Sequence, residues 1–490
     1  MVTERAMQGK MTYAQDCRSK TSSTVSRRRL LAAGAFTGLA GSPFAAACAT
    51  GAGPQQSSTT LLDTATARAV AFWPRNATDK IAFDAMLPLA KQQFPNLTVT
   101  LEVPATNMVE KLKVAIASDT PPDGIVLGLG IARNMTAQKV VLSLQDYLKR
   151  DKQVEANLKS FSPATIQAYT FENQLHALPA TNEGIVLWYH KDAFADARLP
   201  FPRDIENDPA KWNWNTVVDM ARALNRGSGT DRQRYGLMVT GRKTNAAISE
   251  SWGNVVYAND GRFLDDKGAT WTLNSKEGLG TIQWAVDLQT RHGVHPEVDH
   301  YLEQNVLDRT LFQQGRLGML IQGEFLSRYL YGNQKPAGGI PFNYDMAQLP
   351  FGAGKTKRAC VYNGNGLAMI RGTKQPDGMW QWLHVLSTKD AQQQITNNWG
   401  SRGAHTGTYD TWLKDGGGGG PAGLNYQAIV KTGDYARSYP VSPFLDQDAL
   451  VTPCTTILYD QVFVRKMTPL DGLRQMESEI NARLKSAGAT

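Results

Sequence analysis

An aromatic residue, an arginine and an asparagine follow the first apolar segment of the body of the chain. Residues 69–72 suit a buried strand, and Trp73, Arg75 and Asn76 come directly after it. In α/β sheets, small ligands bind outside the carboxyl ends of the strands. There an indole can stack on a ligand, and a guanidinium or an amide can form hydrogen bonds with it. We therefore predict that these three residues contact a small polar ligand, the alternative being a loop tryptophan packed on a helix.

The sequence offers little for catalysis or for a cofactor. Gly354-Lys355-Thr356 resembles the end of a phosphate-binding loop, but Leu349 stands where that loop requires its first glycine. A Gly-X-Ser-X-Gly elbow is missing, and no two carboxylates are marked as an acid–base pair. We therefore expect neither catalytic residues nor a cofactor.

Histidines and cysteines give only weak signs of a metal site. His292, His295 and His300 are close enough in sequence to share a metal, but the favoured interpretation is polar surface histidines. The four cysteines include no Cys-X-X-Cys pair, so a zinc site is unsupported. Cys360 and Cys454 could pair in an oxidising compartment. We expect no metal.

The positive charge is concentrated at the amino terminus. Residues 1–29 contain seven lysines and arginines against two acidic residues, whereas the remainder contains 45 basic and 42 acidic residues. A nearly neutral body lacks the field that nucleic-acid binding requires. The composition therefore argues against a nucleic-acid partner, and 490 residues indicate at least two domains.

The amino-terminal segment has the pattern of an export signal. An arginine run at 27–29 precedes an uncharged segment, rich in alanine and glycine, that ends at Ala47-Cys48. A basic region, a modest apolar core and small terminal residues are typical of a signal peptide, here resembling the twin-arginine type. Cys48 resembles the lipidated cysteine of bacterial lipoproteins, although Ala45 replaces the usual leucine; cleavage after Ala47 is the alternative. The segment after it, rich in glycine, serine and threonine, reads as a flexible tether.

The body alternates between strand and helix patterns. We predict a strand at 69–72, a helix at 79–93, a strand at 99–103, a helix capped by Asn107 and a buried strand at 124–127. Later, Asn274 with Glu277 predicts one helix start and Thr468-Pro469 another. The five glycines at 416–420 predict a surface insertion. This order favours an α/β fold with a mostly parallel sheet.

Several local patterns, in this order along the chain, resemble the family 1 extracellular solute-binding proteins. These proteins are the substrate-binding components of ABC sugar transporters, and they include maltose-binding protein. The patterns are Phe94-Pro95-Asn96, Lys111-Leu112 through Pro121-Pro122-Asp123, Leu178-Pro179 with Leu187 to Asp192, Leu273 to Glu277, Gly293 to Pro296, and Phe312 to Met319 with Gly323-Glu324-Phe325. The resemblance covers nearly all of residues 65–490.

The resemblance implies a two-lobe fold of the type II periplasmic-binding-protein kind, α/β, with mixed sheets, flanking helices and hinge crossovers. It implies that the chain crosses between lobes at 181–184 and 363–366 and also around 400–405, and that the lobes close on a ligand. The expected division is a signal peptide (1–48), a tether (49–62), a first lobe (63–181 with 364–405) and a second lobe (182–363 with 406–490).

The same resemblance places further ligand contacts. Glu183 matches the hinge carboxylate of the family without a gap from Pro179 to Asp192, and a carboxylate accepts paired hydroxyl groups well. Phe325 stands where the family often has a stacking tryptophan, with core packing as the alternative. The remaining candidates are placed by the same crossovers and strand ends: Asn182, Trp252, Gln322, Glu324, Asn363, Asn365, Trp399 and Arg402.

These implications describe an exported, non-catalytic protein that captures a carbohydrate and delivers it to an ABC permease. It would act as a monomer in the periplasm or at the outer face of the membrane. Residues 127–130 lack the side chains that the family commonly has there, so the identity of the ligand does not carry over from maltose. The alternatives are an exported carbohydrate-acting hydrolase with two cleft carboxylates and a receptor subunit that reports ligand occupancy to a membrane sensor.

Overall fold

The computed structural model describes residues 61–105, 107–229, 232–241, 243, 246–299, 308–332 and 335–489. The predicted signal peptide, Cys48 and nearly all of the tether lie outside these residues. Residues 59–490 form one unit. Its strands, in chain order, are β1 (Arg68–Trp73), β2 (Leu97–Leu101), β3 (Gly124–Gly128), β4 (Thr170–Phe171), β5 (Gln174–Leu175), β6 (Leu178–Pro179), β7 (Ile185–His190), β8 (Met319–Gly323), β9 (Tyr344–Ala347), β10 (Cys360–Val361), β11 (Asn365–Met369) and β12 (Ala436–Arg437).

Two main sheets organise these strands. The larger has the order β2-β1-β3-β11-β6, and the smaller has the order β8-β7-β9. In the larger sheet β1 is parallel to β2 and β3, whereas β11 is antiparallel to β3 and β6. Both pairs in the smaller sheet are antiparallel. The sheets are therefore mixed rather than purely parallel.

Helices cover the sheets and fill the long connections. Those up to residue 290 are Ala77–Asp84, Leu87–Gln93, Met108–Ala117, Leu129–Ala137, Gln145–Arg150, Lys152–Leu158, Pro163–Ala168, Lys191–Asp196, Pro202–Ile205, Trp214–Leu224, Ala246–Ser249, Gly253–Ala258 and Lys276–Thr290. The later ones are Asp308–Gln313, Ser327–Leu330, Pro376–Leu386, Lys389–Trp399, Tyr409–Lys414, Tyr426–Val430, Gln447–Ile457 and Pro469–Ser486.

The central strand of the smaller sheet is buried on both faces. Ile185, Leu187 and Tyr189 belong to one hydrophobic cluster, and Val186 and Trp188 belong to the other. Because successive side chains of a strand point to opposite faces, an apolar residue at every position indicates packing on both sides. Strand β7 is therefore the core of its sheet.

Capping residues fix several helix starts, and two of them were predicted. The Asn107 side chain accepts a hydrogen bond from Val109 N at 2.9 Å, and Thr468 Oγ1 accepts one from Asp471 N at 3.1 Å. The prediction at Asn274 was wrong by one position. Ser275 caps helix Lys276–Thr290, while Asn274 Nδ2 donates to Glu477 Oε2 at 2.7 Å.

The predicted helix over 79–93 is two helices, Ala77–Asp84 and Leu87–Gln93. Pro88 is in the first turn of the second helix. Proline has no amide hydrogen and is accepted mainly in the first turn of a helix, so it favours a new start here. Apolar residues continue at helical spacing across the boundary between the two helices, and for this reason the sequence pattern predicted a single helix.

The glycine run forms an ordered left-handed turn. Gly416, Gly417, Gly418 and Gly419 have φ angles of 65°, 66°, 88° and 93°. Gly419 N donates to Asp415 O and Gly420 N donates to Gly416 O, both at 2.8 Å. Gly417 is buried, so the run is more than the surface insertion that its composition predicted.

Candidate functional site

Three chain segments lie side by side between the two main sheets. Segment 180–184 connects β6 to β7, segment 362–364 connects β10 to β11, and segment 400–405 follows helix Lys389–Trp399. Ala180 N donates to Asn365 O at 2.7 Å, Asn182 N donates to Arg402 O at 2.9 Å, and Glu183 N donates to Asn363 O at 3.0 Å. We call these three segments the junction, and they overlap the crossovers predicted at 181–184, 363–366 and 400–405.

Two buried tyrosine hydroxyl groups donate hydrogen bonds to backbone carbonyl groups in or next to the junction. Tyr169 Oη donates to Leu127 O at 3.2 Å and to Gly364 O at 3.0 Å. Tyr362 Oη donates to Thr181 O at 3.0 Å. Gly364 O also accepts a hydrogen bond from Leu129 N at 3.3 Å, so the tyrosine bonds add to the backbone pairing around the junction. The tyrosine bonds thereby help to fix the backbone of the junction.

Glu183 places a buried carboxylate in the junction. Its side chain accepts hydrogen bonds at Oε1 from Thr181 Oγ1 at 3.1 Å and from Asn365 Nδ2 at 3.0 Å. Oε2 accepts no hydrogen bond from any described residue, and Glu183 is 7% exposed. Burial raises the pKa of Glu183, against the opposing charges of Arg75 and Arg328. One carboxylate oxygen is thus held by two donors, while the other has no hydrogen-bond partner among the described residues; Glu183 lines neither of the two cavities described below.

Arg75 approaches the junction from the end of β1. Its Nε and Nη2 donate to the two carboxylate oxygens of Asp79 at 2.7 and 3.2 Å. The guanidinium lies 5.8 Å from the ring centroid of Trp399. Burial lowers the pKa of Arg75, but the charges of Asp79 and then Glu183 outweigh this and raise it. Arg75 is therefore a positioned cation beside an aromatic ring, a third of its side chain still exposed.

A buried ion pair joins the segment after β8 to the junction. Arg402 donates to Glu324 through its backbone N at 2.6 Å and through Nε at 2.9 Å. Gly184 N also donates to Glu324 at 3.3 Å. The guanidinium of Arg402 lies 5.0 Å from the ring of Tyr409 and 5.7 Å from the ring of Trp412. Its Nη1 and Nη2 have no hydrogen-bond partner among the described residues.

A cavity of about 300 Å³ opens beside this ion pair. One wall comes from helix Ala77–Asp84 and from residues 396–401, which are associated with the larger sheet. The other wall follows β8 and continues to the glycine turn. The lining residues are Ile81, Glu324, Ser327, Arg328, Tyr331, Gly332, Thr396, Asn397, Asn398, Gly400, Ser401, Trp412, Gly417 and Gly418.

A larger cavity, of about 1020 Å³, is lined by a different set of residues. Leu129, Arg133 and Arg371 line it from elements that follow β3 and β11, and Tyr257 and Tyr439 line it from elsewhere in the chain. Arg133 Nη2 donates to Lys267 O at 3.1 Å beside it. Each of the two cavities is therefore lined by residues that are far apart in the chain.

Several predicted contact residues have other partners. Trp73 is buried under Lys111, whose Nζ lies 4.5 Å from the ring centroid. Asn76 caps helix Ala77–Asp84 through a bond from Asp79 N at 2.9 Å. Trp252 is fully buried and packs on Phe263, and Gln322 Nε2 donates to Asp308 Oδ2 at 2.8 Å. These four residues line neither cavity.

The other nine predicted residues gather at or beside the junction. Asn182 Nδ2 donates to Tyr409 Oη at 2.7 Å, and the half-buried ring of Phe325 lies 5.9 Å from the Arg328 guanidinium. The full group is Arg75, Asn182, Glu183, Glu324, Phe325, Asn363, Asn365, Trp399 and Arg402.

Among the residues that line the smaller cavity, sequence reasoning predicted only Glu324 as a contact. It missed the others, including Arg328, Ser401 and Trp412, and it also missed Tyr409 beside the ion pair. Arg328 is one helical turn beyond Glu324, which is the signal that could have identified it. Tyr409 and Trp412 follow the third predicted crossover, in a polar stretch whose sequence shows no clear pattern. They reach the site only through tertiary packing.

The histidines and cysteines are structural in the described part of the chain. His295 is buried rather than on the surface, which corrects the prediction; Thr240 N donates to its Nε2 at 3.2 Å. His292 Nδ1 lies 2.6 Å from Arg222 Nη2, and His300 falls outside the described residues. Cys360 and Cys454 are buried free thiols and are not paired.

Comparisons with known proteins agree with this architecture. The sequence profile of the bacterial extracellular solute-binding proteins matches residues 76–393. A binding protein of Brucella abortus is 23% identical over 320 residues, covering 65% of this chain and 71% of the relative. The maltodextrin-binding protein MdxE of Bacillus subtilis is 23% identical over 248 residues, covering 47% of this chain and 50% of the relative.

Solved structures show the same fold. An ABC substrate-binding protein of Listeria monocytogenes in complex with cycloalternan has a TM-score of 0.71 at 19% identity, covering 86% of this chain and all of that one. The cyclic α-maltosyl-1,6-maltose binding protein of Arthrobacter globiformis has a TM-score of 0.69 at 17% identity, with coverage of 86% and 100%. Maltose-bound MalE3 of T. maritima has a TM-score of 0.67 at 18% identity, with coverage of 84% and 99%.

These findings confirm the two-lobe fold that the resemblance implied. Among the described helices, none combines the length and the apolar character needed to cross a bilayer. Proteins of the matched family bind solutes outside the cytoplasm and leave them chemically unchanged. The chain belongs to the family of bacterial extracellular solute-binding proteins, and its function is to bind a solute rather than to catalyse a reaction.

Proposed function

We propose that the protein binds a carbohydrate between its two lobes and delivers it to the permease subunits of an ABC importer. The lobes in this proposal comprise residues 63–181 with 364–405 and residues 182–363 with 406–490. The junction acts as their hinge. Binding proceeds by closure of the lobes around the ligand.

The observation that carries the proposal is the half-satisfied carboxylate of Glu183. Thr181 and Asn365 hold Oε1, while Oε2 has no partner among the described residues. A sugar hydroxyl is a suitable donor for such an oxygen, and a charge-assisted bond in a closed site is stronger than a neutral one. Arg75, a third of whose side chain is exposed, lies near this carboxylate as a hydrogen-bond donor. The hydroxyl groups of a sugar match this combination of an acceptor and a donor.

Relatives supply independent support for this ligand class. The structures that share the fold include proteins bound to cycloalternan and to maltose. We extend only the class of ligand to this chain, because residues 127–130 at the end of β3 are Leu, Gly, Leu and Gly. These residues offer no side-chain hydrogen bonds, so the partners of a particular sugar are not transferred.

The amino-terminal segment fits this role. We propose that residues 1–48 act as a twin-arginine-like export signal and that Cys48 carries a lipid anchor, with 49–62 as a tether. A tethered monomer at the outer face of the membrane would remain near its permease. Growth with a labelled fatty acid, followed by detection of label in the wild type but not in Cys48→Ala, tests the anchor.

Calorimetry and thermal unfolding with a panel of mono- and oligosaccharides test the binding proposal. A ligand that binds only the native state raises Tm, and Glu183→Gln should weaken its affinity by about 1–3 kcal/mol. The exposed carboxylate Glu110 provides a matched control, and Glu110→Gln should leave the affinity unchanged. Unaltered affinity in Glu183→Gln removes Glu183 from the site. Conversion of the saccharide during incubation, seen by chromatography, would contradict a binding function.

A further inference from the structure

We propose that the 300 Å³ cavity binds an anionic group, a carboxylate or a phosphate, carried by the sugar ligand. This inference rests on the proposed function and names the class of sugar that the site selects. The cavity is at the lower end of the volumes, roughly 300–1,000 Å³, that small-molecule sites have. It can therefore hold about one sugar unit with its substituent.

The lining of the cavity carries two charged side chains of opposite sign. Glu324 and Arg328 are the charged residues among the side chains that line the cavity. Both oxygens of Glu324 already accept hydrogen bonds from Arg402 and Gly184. Arg328 has no ion pair and no hydrogen bond to any described residue. The lining thus presents one uncompensated cation.

Several hydrogen-bond donors around the cavity have no partner. Arg328 Nε and Ser401 Oγ are buried polar atoms that lack a partner in the described structure, and Ser401 is only 3% exposed. Trp412 Nε1 also donates to no described residue. Buried polar groups in native proteins nearly always have a partner. A cluster of unpaired donors around one cavity therefore points to a ligand that supplies acceptors, and anionic oxygens are the strongest acceptors.

The side chain of Arg328 runs across Gly400 to reach the cavity. Arg328 belongs to helix Ser327–Leu330, after β8, and it packs against Gly400 at the end of helix Lys389–Trp399. A Cβ at Gly400 would lie within 2.6 Å of Arg328 Cγ, Cδ and Nε. The glycine lets the arginine stem pass between the two walls. Its guanidinium is thereby fixed at the edge of the cavity, near the ring of Phe325.

The carboxylates around Arg328 leave its guanidinium unpaired. Burial raises the pKa of Glu183, and the charges of Arg75 and then Arg328 oppose that rise. Asp79 is engaged by Arg75. Neither carboxylate forms an ion pair with Arg328 within 4.0 Å.

The glycine turn completes the opposite wall. Gly417 and Gly418 line the cavity, and an added Cβ at Gly418 would meet only Trp412 Nε1, at 3.9 Å. Glycine allows a backbone to approach a ligand closely. The turn therefore presents backbone rather than side chains on this wall of the cavity.

Matched pairs of sugars test the proposal. Calorimetry at pH 7 and constant ionic strength would compare glucuronate, galacturonate and mannuronate with glucose, galactose and mannose, and glucose 6-phosphate with glucose. At least one anionic sugar should bind about tenfold more tightly than its neutral partner. Arg328→Gln should abolish that preference. Arg316→Gln removes an exposed arginine and serves as the control.

The outcomes separate this inference from the proposed function. Neutral sugars that bind at least as tightly as every anionic partner overturn the anionic site and leave the carbohydrate function intact. An unchanged preference in Arg328→Gln overturns it as well. If no sugar of either kind binds, both proposals fail.

A measurement on the empty protein tests the site without a ligand. In the empty protein the unpaired cation of Arg328 and the unpaired hydroxyl of Ser401 lower the stability of the fold. Arg328→Met and Ser401→Ala should therefore each leave Tm unchanged or raise it by about 1–2 °C. A fall in Tm of several degrees for both variants shows that these donors support the fold, and it overturns the proposal.

Discussion

At the scale of single residues, the junction concentrates charges that the fold holds away from water. Glu183 is 7% exposed and Glu324 is 2% exposed, yet their roles differ. Glu324 is saturated by Arg402 and by a backbone amide, whereas Glu183 keeps one oxygen unpaired. A saturated pair fixes the geometry of a site, and an unsaturated carboxylate is free to receive a ligand.

Glu183→Gln should increase the free energy of unfolding of the empty protein at pH 7 by about 1 kcal/mol. Burial raises the pKa of Glu183 in the folded state. The charged form therefore destabilises the fold above the folded pKa, and this cost disappears as the pH falls toward the unfolded value of 4.5. Urea unfolding at pH 7 and pH 4 should show a gain only at pH 7. A lower stability than wild type at pH 7 would refute the argument.

Glu324→Gln should destabilise the protein by about 3–5 kcal/mol, because it leaves the buried guanidinium of Arg402 without its counter-charge. Both side chains are at most 2% exposed. The exposed pair of Arg483 and Glu479 gives the control, and Glu479→Gln should cost no more than about 0.5 kcal/mol. Chemical denaturation measures both values. Similar costs for the two variants would show that burial does not set the strength of the pair.

At the scale of elements, the glycine turn shows how composition alone can mislead. Four successive glycines have positive φ angles and close two hydrogen bonds of an i to i+4 kind. A left-handed turn of this length is costly for any residue with a Cβ. The run therefore encodes a particular backbone shape that forms part of a cavity wall, and not merely a flexible insertion.

Gly417→Ala should destabilise the protein more than Gly419→Ala. Both substitutions place a Cβ at a positive φ, which costs roughly 1–2 kcal/mol. At Gly417 the new methyl would also lie 2.4 Å from Tyr426 Cε1, whereas at Gly419 nothing lies within 4 Å. Thermal unfolding of the two variants isolates the packing contribution. Equal shifts in Tm would mean that Tyr426 moves aside freely.

At the scale of the whole molecule, acid should weaken the fold through buried neutral histidines. Burial lowers the pKa of His295 to about 4 and that of His190 to about 4. Both rings accept a hydrogen bond from a backbone amide, of Thr240 and Ala193 respectively. A proton on the accepting nitrogen would oppose that amide, so these rings remain neutral in the folded state.

The pH dependence of stability follows with a definite sign. The unfolded chain binds protons on these histidines below about pH 6.5, whereas the folded chain does not until about pH 4. The free energy of unfolding should therefore fall as the pH decreases through that window. His295→Gln should reduce the slope by up to about 1.4 kcal/mol per pH unit. Urea titrations at pH 7, 6 and 5 measure the slope, and an unchanged slope would place the His295 proton elsewhere.

Local signals in the sequence were enough for much of the architecture. The period of apolar residues placed β1, β2 and β3 within one or two residues, and side-chain chemistry identified Asn107 and Thr468 as caps. Such signals involve residues a few positions apart, so they can be read without the fold. Where two local signals competed, the prediction was wrong: Ser275 rather than Asn274 caps its helix, and residues 79–93 belong to two helices rather than one.

The sequence by itself determined the α/β class and, through the resemblance of its motifs, the family, because motif order and periodicity survive without coordinates. Only the tertiary structure decided which polar side chains are already satisfied. Trp252 and Gln322 look like contact residues in sequence but are buried among internal partners, while Arg328 and Trp412 reach the cavity from segments without a motif. The physical reason is that a hydrogen-bond partner or an empty volume is a property of residues distant in the chain, and local spacing cannot encode it.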